Sequence, residues 1–353
     1  MFYQCPKCKK IWQYPIEKCP DCFSGLEKLL TKEAKVIGVS KVAVPTLLHP
    51  KVPYFVLVLE DEKGNKWVQK SFKEYKIGDW FKTESRGDKK AVAIWRIKYD
   101  ILEAIEKIIE LIGNIKISQK SKILILPTLV SPMHPYFAVN TNPRLLESLI
   151  KYLIKIGGET KNIKVAAQSF DETPIEAMAQ KSQLLDVCLK NQITPLDLAK
   201  GNFVKREKNG FTFEISEEVF NADLIINLPI SKLDSKLGVK AATENTLKFL
   251  KKESYLSLQY LHSQEEIMEK LPGVLPDYLT IADGLTIQKT NGLTTFLGLI
   301  LASFNSFNLD RVFGEIVMVK DLPGYLKKVK IEDIPMAGRT IEEVQYNPEK
   351  VGV

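Results

Sequence analysis

Two short cysteine pairs lie in the first 22 residues, Cys5-Pro6-Lys7-Cys8 and Cys19-Pro20-Asp21-Cys22, separated by ten residues. Two Cys-x-x-Cys pairs at that distance supply four thiolates to one tetrahedral ion, so Cys5, Cys8, Cys19 and Cys22 predict a zinc ribbon over residues 1–23, with iron as the alternative metal. A segment this short buries no core of its own, and the metal is expected to supply much of its folding energy. Two structural disulfides would suit a secreted chain, but Met1-Phe2-Tyr3-Gln4 does not read as a signal peptide. With cysteines in metal-type spacing and no targeting segment, the expected location is the cytoplasm. Cys188 stands apart in the apolar helical stretch Leu184–Leu189 and reads as a small buried hydrophobe rather than a nucleophile.

A chain of 353 residues is long enough for two or three domains. Its most apolar stretches, such as Phe296 to Phe304, fall far short of the roughly 20 residues a membrane helix needs. The net charge of +7 is uneven: residues 1–100 hold 20 Lys and Arg against 12 Asp and Glu, and the remainder 30 against 31. The basic excess therefore lies at the N-terminal end, where it favours a nucleic acid, a phosphate-bearing carrier or an acidic protein surface.

The expected fold is α+β and multidomain. After the ribbon, Ala34–Val44, Tyr54–Glu60, Lys66–Phe72 and Ala91–Lys98 are short runs rich in β-branched and aromatic residues, with turn signals at Asp61–Asn65 and Ile77–Asp79. They predict a small barrel of the oligonucleotide-binding kind over residues 24–100. Ile101, Leu102, Ile105, Ile108, Ile109 and Ile112 then mark one helical stripe, taken as a connector over 101–120. From residue 121 to 353, strands at Ile123–Leu126, Ile163–Ala167, Asp223–Leu228, Tyr278–Ala282 and Leu297–Ser303 alternate with helices. The helices are placed at Pro143–Ile156, Pro174–Leu189, Asn245–Lys252 and Gln264–Leu271. That alternation predicts an α/β domain with a mostly parallel sheet.

Ligands of such sheets bind beyond the carboxyl ends of the strands. The residues following each expected strand are polar: Thr128, Ser131, His134, Asn140, Thr141 and Asn142; Gln168, Ser169, Asp171 and Glu172; Asn227, Ser231, Lys232, Asp234 and Lys236; Asp283, Asn291 and Gly292; Asn305, Asn308 and Asp310. Lys232 is the candidate anion contact, and Asp283, Asp310 and His134 are the candidate acid, base or metal-ligand groups. Thr141, Asn142, Ser169, Asp171, Asn227, Ser231, Lys236, Asn245 and Asn291 are candidate ligand contacts. Plainer roles compete. Asn142 and Thr173 suit helix caps, the latter in a box with Glu176, and His134 suits a turn. Lys232, Lys236 and Lys240 recur every four residues, as on a solvated helix face, yet Pro229 and Gly238 flank them as in a loop. Glycine-rich nucleotide loops, GxSxG and HExxH are absent, and His49, His134 and His262 are too few for a multi-histidine metal centre.

Residues 1–100, with their cysteine spacing, Pro53–Val58 and Ile77-Gly78-Asp79, resemble domain-of-unknown-function family 35. The resemblance implies a rubredoxin-like ribbon preceding an oligonucleotide-binding-type barrel, in company with thiolases and other acyl-CoA enzymes. Residues 120–345 resemble domain-of-unknown-function family 362 through Thr141-Asn142-Pro143, Asp223-Leu224-Ile225-Ile226-Asn227-Leu228-Pro229-Ile230-Ser231-Lys232, Glu244-Asn245, Asp283-Gly284 and Asn291-Gly292-Leu293. The chain departs from that pattern where Ile125-Leu126-Pro127-Thr128 lacks a lysine, Asp234 replaces histidine, Glu244 replaces lysine and Leu293 replaces proline. Members carrying ferredoxin cysteines are iron–sulfur proteins; this chain has no such cysteines beyond the ribbon, and no cluster is expected.

Three functions follow. In the first, an enzyme-like α/β domain binds a small anionic substrate, with Lys232 as the anion contact, while the basic N-terminal part engages an acyl-CoA-type carrier or partner enzyme. In the second, the chain is a scaffold docking a thiolase-like enzyme. In the third, it binds single-stranded nucleic acid through aromatics such as Tyr54, Trp67, Trp80 and Phe81.

Overall fold

The computed structural model describes all residues except 1, 14, 15, 17, 30, 32, 47–50, 83–87, 172 and 349–353, so His49 and Glu172 lie outside the described residues. The chain divides into two compact units, Met1–Glu84 and Ser85–Val353.

In the first unit, Phe2–Gln4 forms the centre of a three-stranded antiparallel sheet between Ile11–Trp12 and Glu27–Leu29. A separate antiparallel sheet follows in the order Lys66–Ser71, Tyr54–Glu60, Glu33–Val42, Trp80–Lys82. The turn between its first two strands forms as expected: Asp61 Oδ1 accepts from the backbone N–H groups of Lys63 and Asn65, at 2.9 and 2.8 Å, and Gly64 takes a φ of 77°. One face buries Ala34, Val36, Phe55, Leu57 and Leu59. Among the described residues the outer strands Lys66–Ser71 and Trp80–Lys82 do not pair with each other, so the expected barrel is here an open four-stranded sheet.

The strand expected to complete that barrel belongs elsewhere. Val92–Arg96 pairs with Thr294–Ser303 on one side and Met336–Gly338 on the other, inside the large sheet of the second unit. Its side chains Val92, Ala93 and Ile94 are all buried, the pattern of a strand covered on both faces rather than one. The approach of Met336–Gly338 is close: a Cβ on Gly338 would lie 2.3 Å from the Ile94 carbonyl oxygen. With this strand go five of the basic residues and two of the acidic residues of 85–100, leaving the first unit 15 basic against 10 acidic. The charge excess is thus shared between the units.

The large sheet is mixed. Leu196–Asp197, Ile163–Ala167, Ile123–Pro127, Leu224–Leu228 and Leu279–Gln288 lie side by side and parallel; Thr294–Ser303 then runs antiparallel to both of its neighbours. Alternate residues feed two cores. Ile123 and Ile125 pack with the helices Ile101–Leu111 and Pro143–Lys155, whereas Leu124 and Leu126 pack with Phe313, Val312 and Leu309 of Ser306–Ile316 on the other face. Ile101–Leu111, expected as a connector, is therefore a layer of the core. Asp100 caps it, and Ile101, Ile105, Ile108 and Ile109 are buried, each contributing about 2 kcal/mol of transfer free energy.

Four other expectations are corrected. Pro174–Leu189 is two helices, Ile175–Lys181 and Leu184–Lys190, broken at Gln183 with a φ of 61°. Its expected capping box does not form, because the Asp171 carboxylate accepts the Thr173 N–H first, and Pro174 becomes the N-cap. The strand read as Tyr278–Ala282 continues through Asp283-Gly284 to Gln288, with a bulge after Gly284. Because Thr294–Ser303 is antiparallel, Asn305 and Asn308 emerge at the opposite edge of the sheet from Pro127 and Leu228; Asn308 donates to the Lys90 carbonyl there. Among the described residues no helix is long and apolar enough to cross a membrane.

Candidate functional site

The strand order places a switch point between Ile123–Pro127 and Leu224–Leu228. From the first of these the chain moves outward to Ile163–Ala167 and Leu196–Asp197, then returns on the other side. Loops leaving in opposite directions open a crevice at such a point, beyond the carboxyl ends. Here its floor is a closed polar network. Thr141 Oγ1 donates to the Leu228 carbonyl at 2.6 Å and accepts from the Thr128 N–H at 2.8 Å. Thr128 Oγ1 donates to Asn245 Oδ1 at 2.8 Å, and Asn245 Nδ2 donates to Leu126 O at 3.0 Å and Asn227 Oδ1 at 2.8 Å. Asn227 Nδ2 in turn donates to Ala242 O at 2.8 Å. Thr128, Thr141, Asn227 and Asn245 are buried and fully engaged, so they fix the floor and hold little capacity for a ligand.

Asp283 is buried beside this network. Its Oδ2 accepts the Asn142 N–H at 2.8 Å and its Oδ1 accepts the Leu285 N–H at 3.1 Å. Burial pushes its carboxyl up to about 6, opposed by these two hydrogen bonds. Asn142 itself caps Pro143–Lys155, accepting from the Arg144 N–H at 3.0 Å. Lys232 is near: it lies two residues beyond Ile230, the register partner of Asp283. Asn142, Asp283 and the Lys232 strand therefore share one edge.

Lys232 sits on a hairpin rather than a helix. Ile230–Asp234 pairs with Gly238–Lys240, and Lys232 is the register partner of Lys240. Like charges opposite each other repel. Lys240 is neutralised by Asp234 at 2.8 Å, while Lys232, half-buried, makes no ion pair or hydrogen bond with a described residue. Burial lowers its pKa, partly offset by Glu244. Lys236 is exposed on the hairpin turn, where its N–H donates to Asp234 Oδ1 at 2.9 Å.

Sequence reasoning missed Lys248. It follows Asn245 by one helical turn in Thr246–Phe249, and its Nζ lies 3.9 Å from the centre of the Phe170 ring, which stacks on Tyr255 at 4.9 Å. Burial lowers its pKa too, with Glu244 and Asp171 opposing and Lys232 reinforcing, so the two lysines stand in each other's field. Gln168 holds this segment by donating from Nε2 to the Lys248 and Leu250 carbonyls, and its Oε1, like Ser231 Oγ, is buried with no hydrogen-bond partner among the described residues. A lysine one turn after a buried asparagine is the only trace of this site in the sequence.

The other candidates lie apart or are occupied. His134 Nδ1 accepts the Tyr136 N–H at 3.2 Å and its Nε2 faces Gln183 at 3.2 Å, so its partners are in surface turns. Ser169 donates to Asp171 at 2.7 Å in an exposed turn. Asn291 accepts the Leu293 N–H at 3.0 Å in the hairpin turn at the end of Leu279–Gln288. Asp310 is buried one turn into Ser306–Ile316, accepting the Ala242 and Thr243 N–H groups at 2.7 and 2.9 Å; burial raises its carboxyl to about 6. It anchors the start of Ala242–Asn245 rather than facing the crevice loops.

In the first unit the four cysteine Sγ atoms lie within 4.8 Å of one another. Cys5 to Cys22 is 3.2 Å and Cys8 to Cys19 is 3.5 Å, beyond a disulfide bond and near the roughly 3.8 Å edge of a tetrahedron with metal–sulfur distances of about 2.3 Å. Both knuckles are built alike. Lys9 and Phe23 follow their second cysteines with φ of 62° and 56°, and each donates its N–H to the carbonyl of the first cysteine, at 3.0 and 2.8 Å. The cluster could hold a metal ion.

The profile of a family described as Domain of unknown function (DUF362) matches residues 123–315, more than half of the chain. The chain belongs to this family. The matched span runs from the first strand of the crevice through Lys232, Glu244, Lys248 and Asp283. No curated protein matches the chain. Among solved structures, it is similar to the lactate racemase apoprotein from Thermoanaerobacterium thermosaccharolyticum, at 14% identity and a TM-score of 0.41 over 69% of this chain and 61% of that one. A Thermotoga maritima protein matches at 10% identity and 0.34, over 57% and 53%, and the Ltp2-ChsH2(DUF35) aldolase at 21% and 0.20, over 22% and 67%. The chain thus spans 61% and 53% of the first two proteins.

Proposed function

We propose that the DUF362 unit is an enzyme-like domain that binds a small anionic ligand in the switch-point crevice, with Lys232 as an anion contact. The observation that carries this reading is Lys232 itself, half-buried on the strand that pairs with the Asp283 strand and with no carboxylate in contact among the described residues. A buried cation without a counter-ion is costly, and a bound anion removes that cost. Asp283, buried and raised toward neutrality, is the nearby group suited to hold a proton, while its two backbone bonds restrain it. Native mass spectrometry of the purified chain and of Lys232→Met tests the reading. A retained small anion lost in the variant supports it; equal retention in both defeats it.

The N-terminal unit is the proposed docking module, its four cysteines binding zinc, or iron, as a ribbon, and its basic excess engaging an acyl-CoA-type carrier or a thiolase-like partner enzyme. The cysteine geometry supports the metal, and the 15 basic against 10 acidic residues support an anionic partner. Binding that survives high salt would count against the carrier.

A further inference from the structure

Three charged groups at the crevice lack contacts of opposite sign: Lys232, Lys248 and Glu244. None of their charged side-chain ends makes a hydrogen bond or ion pair with a described residue, and all three residues are half-buried. The neighbouring carboxylates are occupied. Asp234 binds Lys240 and the N–H groups of Lys236 and Leu237, and Asp171 accepts from Ser169 and Thr173. Glu244 and Lys248 lie on the consecutive turns Ala242–Asn245 and Thr246–Phe249, the second of them a 3-10 turn, close enough for the Glu244 carboxylate to act on the Lys248 ammonium. Between them Asn245 is pinned to Leu126, Asn227 and Thr128, which fixes the pair over the switch point. Lys232 lies on the hairpin whose second strand, Gly238–Lys240, leads directly into those turns.

Resting on the anion site proposed above, we infer that Glu244 makes it selective for anions that carry their own proton. Two ammonium groups and one carboxylate leave a single excess positive charge, which an anion satisfies. A carboxylate accepts hydrogen bonds but donates none, so Glu244 can only repel a fully deprotonated anion. Against a ligand bearing an O–H beside its anionic oxygens, the same carboxylate gains a charge-assisted hydrogen bond. The ligand class is therefore a hydroxyl-bearing anion: a phosphate that retains a proton, or an acid with a hydroxyl within reach of its anionic group. Discrimination arises because a buried acceptor left unpaired penalises the analogue without the donor.

Inorganic phosphate and sulfate separate the possibilities, since both are tetrahedral anions but only phosphate keeps a proton near neutral pH. Titrations of the full chain by calorimetry, to about 10 mM anion at constant ionic strength, reach the weak end of specific binding. Phosphate should bind at least tenfold more tightly than sulfate. Glu244→Gln, whose amide both donates and accepts, should abolish that ratio by strengthening sulfate binding, and Lys248→Met should weaken both anions. Equal binding of the two anions to the wild type, both lost in Lys232→Met, would overturn the role of Glu244 and leave the anion site standing. If neither anion binds, or if Lys232→Met and Lys248→Met change nothing, the anion site and this selectivity fall together. A thermal melt of each variant separates loss of binding from loss of fold.

Discussion

The first unit buries Ala34, Val36, Phe55, Leu57 and Leu59 on one face of a four-stranded sheet, while the second packs apolar side chains against both faces of a ten-stranded one. The first sets an N-terminal sheet of two- and three-residue strands beside four converging cysteines that could hold a metal ion. The second spends its polar residues on a buried hydrogen-bond network at the site. The contrast teaches where each unit is vulnerable. Removing one ligand should undo the first locally, whereas removing one network partner should lower the stability of the second as a whole.

The largest effect is expected from the cysteines. If the four cysteines bind zinc as proposed, Cys8→Ser or Cys22→Ser leaves three ligands, and structural zinc sites contribute about 10–16 kcal/mol to folding of their modules. Metal analysis should fall below half an equivalent, and hydrogen exchange should lose protection within residues 2–29 while the large sheet keeps its own. Wild-type protein that is metal-free yet protected there would erase the contrast.

Next comes Asn245→Ala, which removes the acceptor of the Thr128 hydroxyl proton and the amide donor to Leu126 O and Asn227 Oδ1 in the core. A cost of about 2–4 kcal/mol is expected in urea unfolding of the second unit. A loss below about 0.5 kcal/mol would show that the network orders the crevice without stabilising the unit.

Smaller, and dependent on pH, is Asp283→Asn. The folded carboxyl titrates near 6 against an ordinary 3.8, so the native state favours the protonated form. Its relative stabilisation is complete below about pH 4 and is lost as pH rises through about 6, on the order of 3 kcal/mol in total. The variant should therefore gain on the wild type between pH 4 and 7 in urea midpoints. A constant difference would mean that Asp283 is ionised throughout.

The smallest effect is Lys232→Met. Burial lowers the lysine pKa, so the wild type gains stability as pH rises from that lowered value toward 10.5, and the variant does not. At pH 7 the two should differ by less than about 1 kcal/mol while ligand retention is lost. A large destabilisation at pH 7 would recast Lys232 as structural.

Much of the second unit was legible because strand and cap signals are local. Ile123–Leu126, Ile163–Ala167 and the Asn142-Pro143 helix start lie within a residue or two of their expected positions. Direction and partnership are not local. Nothing in Leu297–Ser303 shows that it runs antiparallel, and nothing in Ala91–Lys98 distinguishes a barrel strand from one inserted between Thr294–Ser303 and Met336–Gly338. At the site, strand-end position marks Asn227 and the family resemblance marks Asn245, but only the fold reveals that their amides are used up. Lys248 carries no motif, and the ring it faces is Phe170, distant in sequence and stacked on Tyr255.

The placement of Val92–Arg96 also sets an order of events during synthesis. Both of its neighbours are encoded far downstream, so a chain growing from its N-terminus carries this buried segment unpaired until roughly 200 further residues have been added. At ribosomal speeds of 5–20 residues per second that wait lasts about 10–40 s. Over the same interval the first unit, whose strands are all in hand by Lys82, is free to complete itself. A nascent chain stalled before Thr294 would therefore expose an apolar strand that only its own C-terminal third can cover.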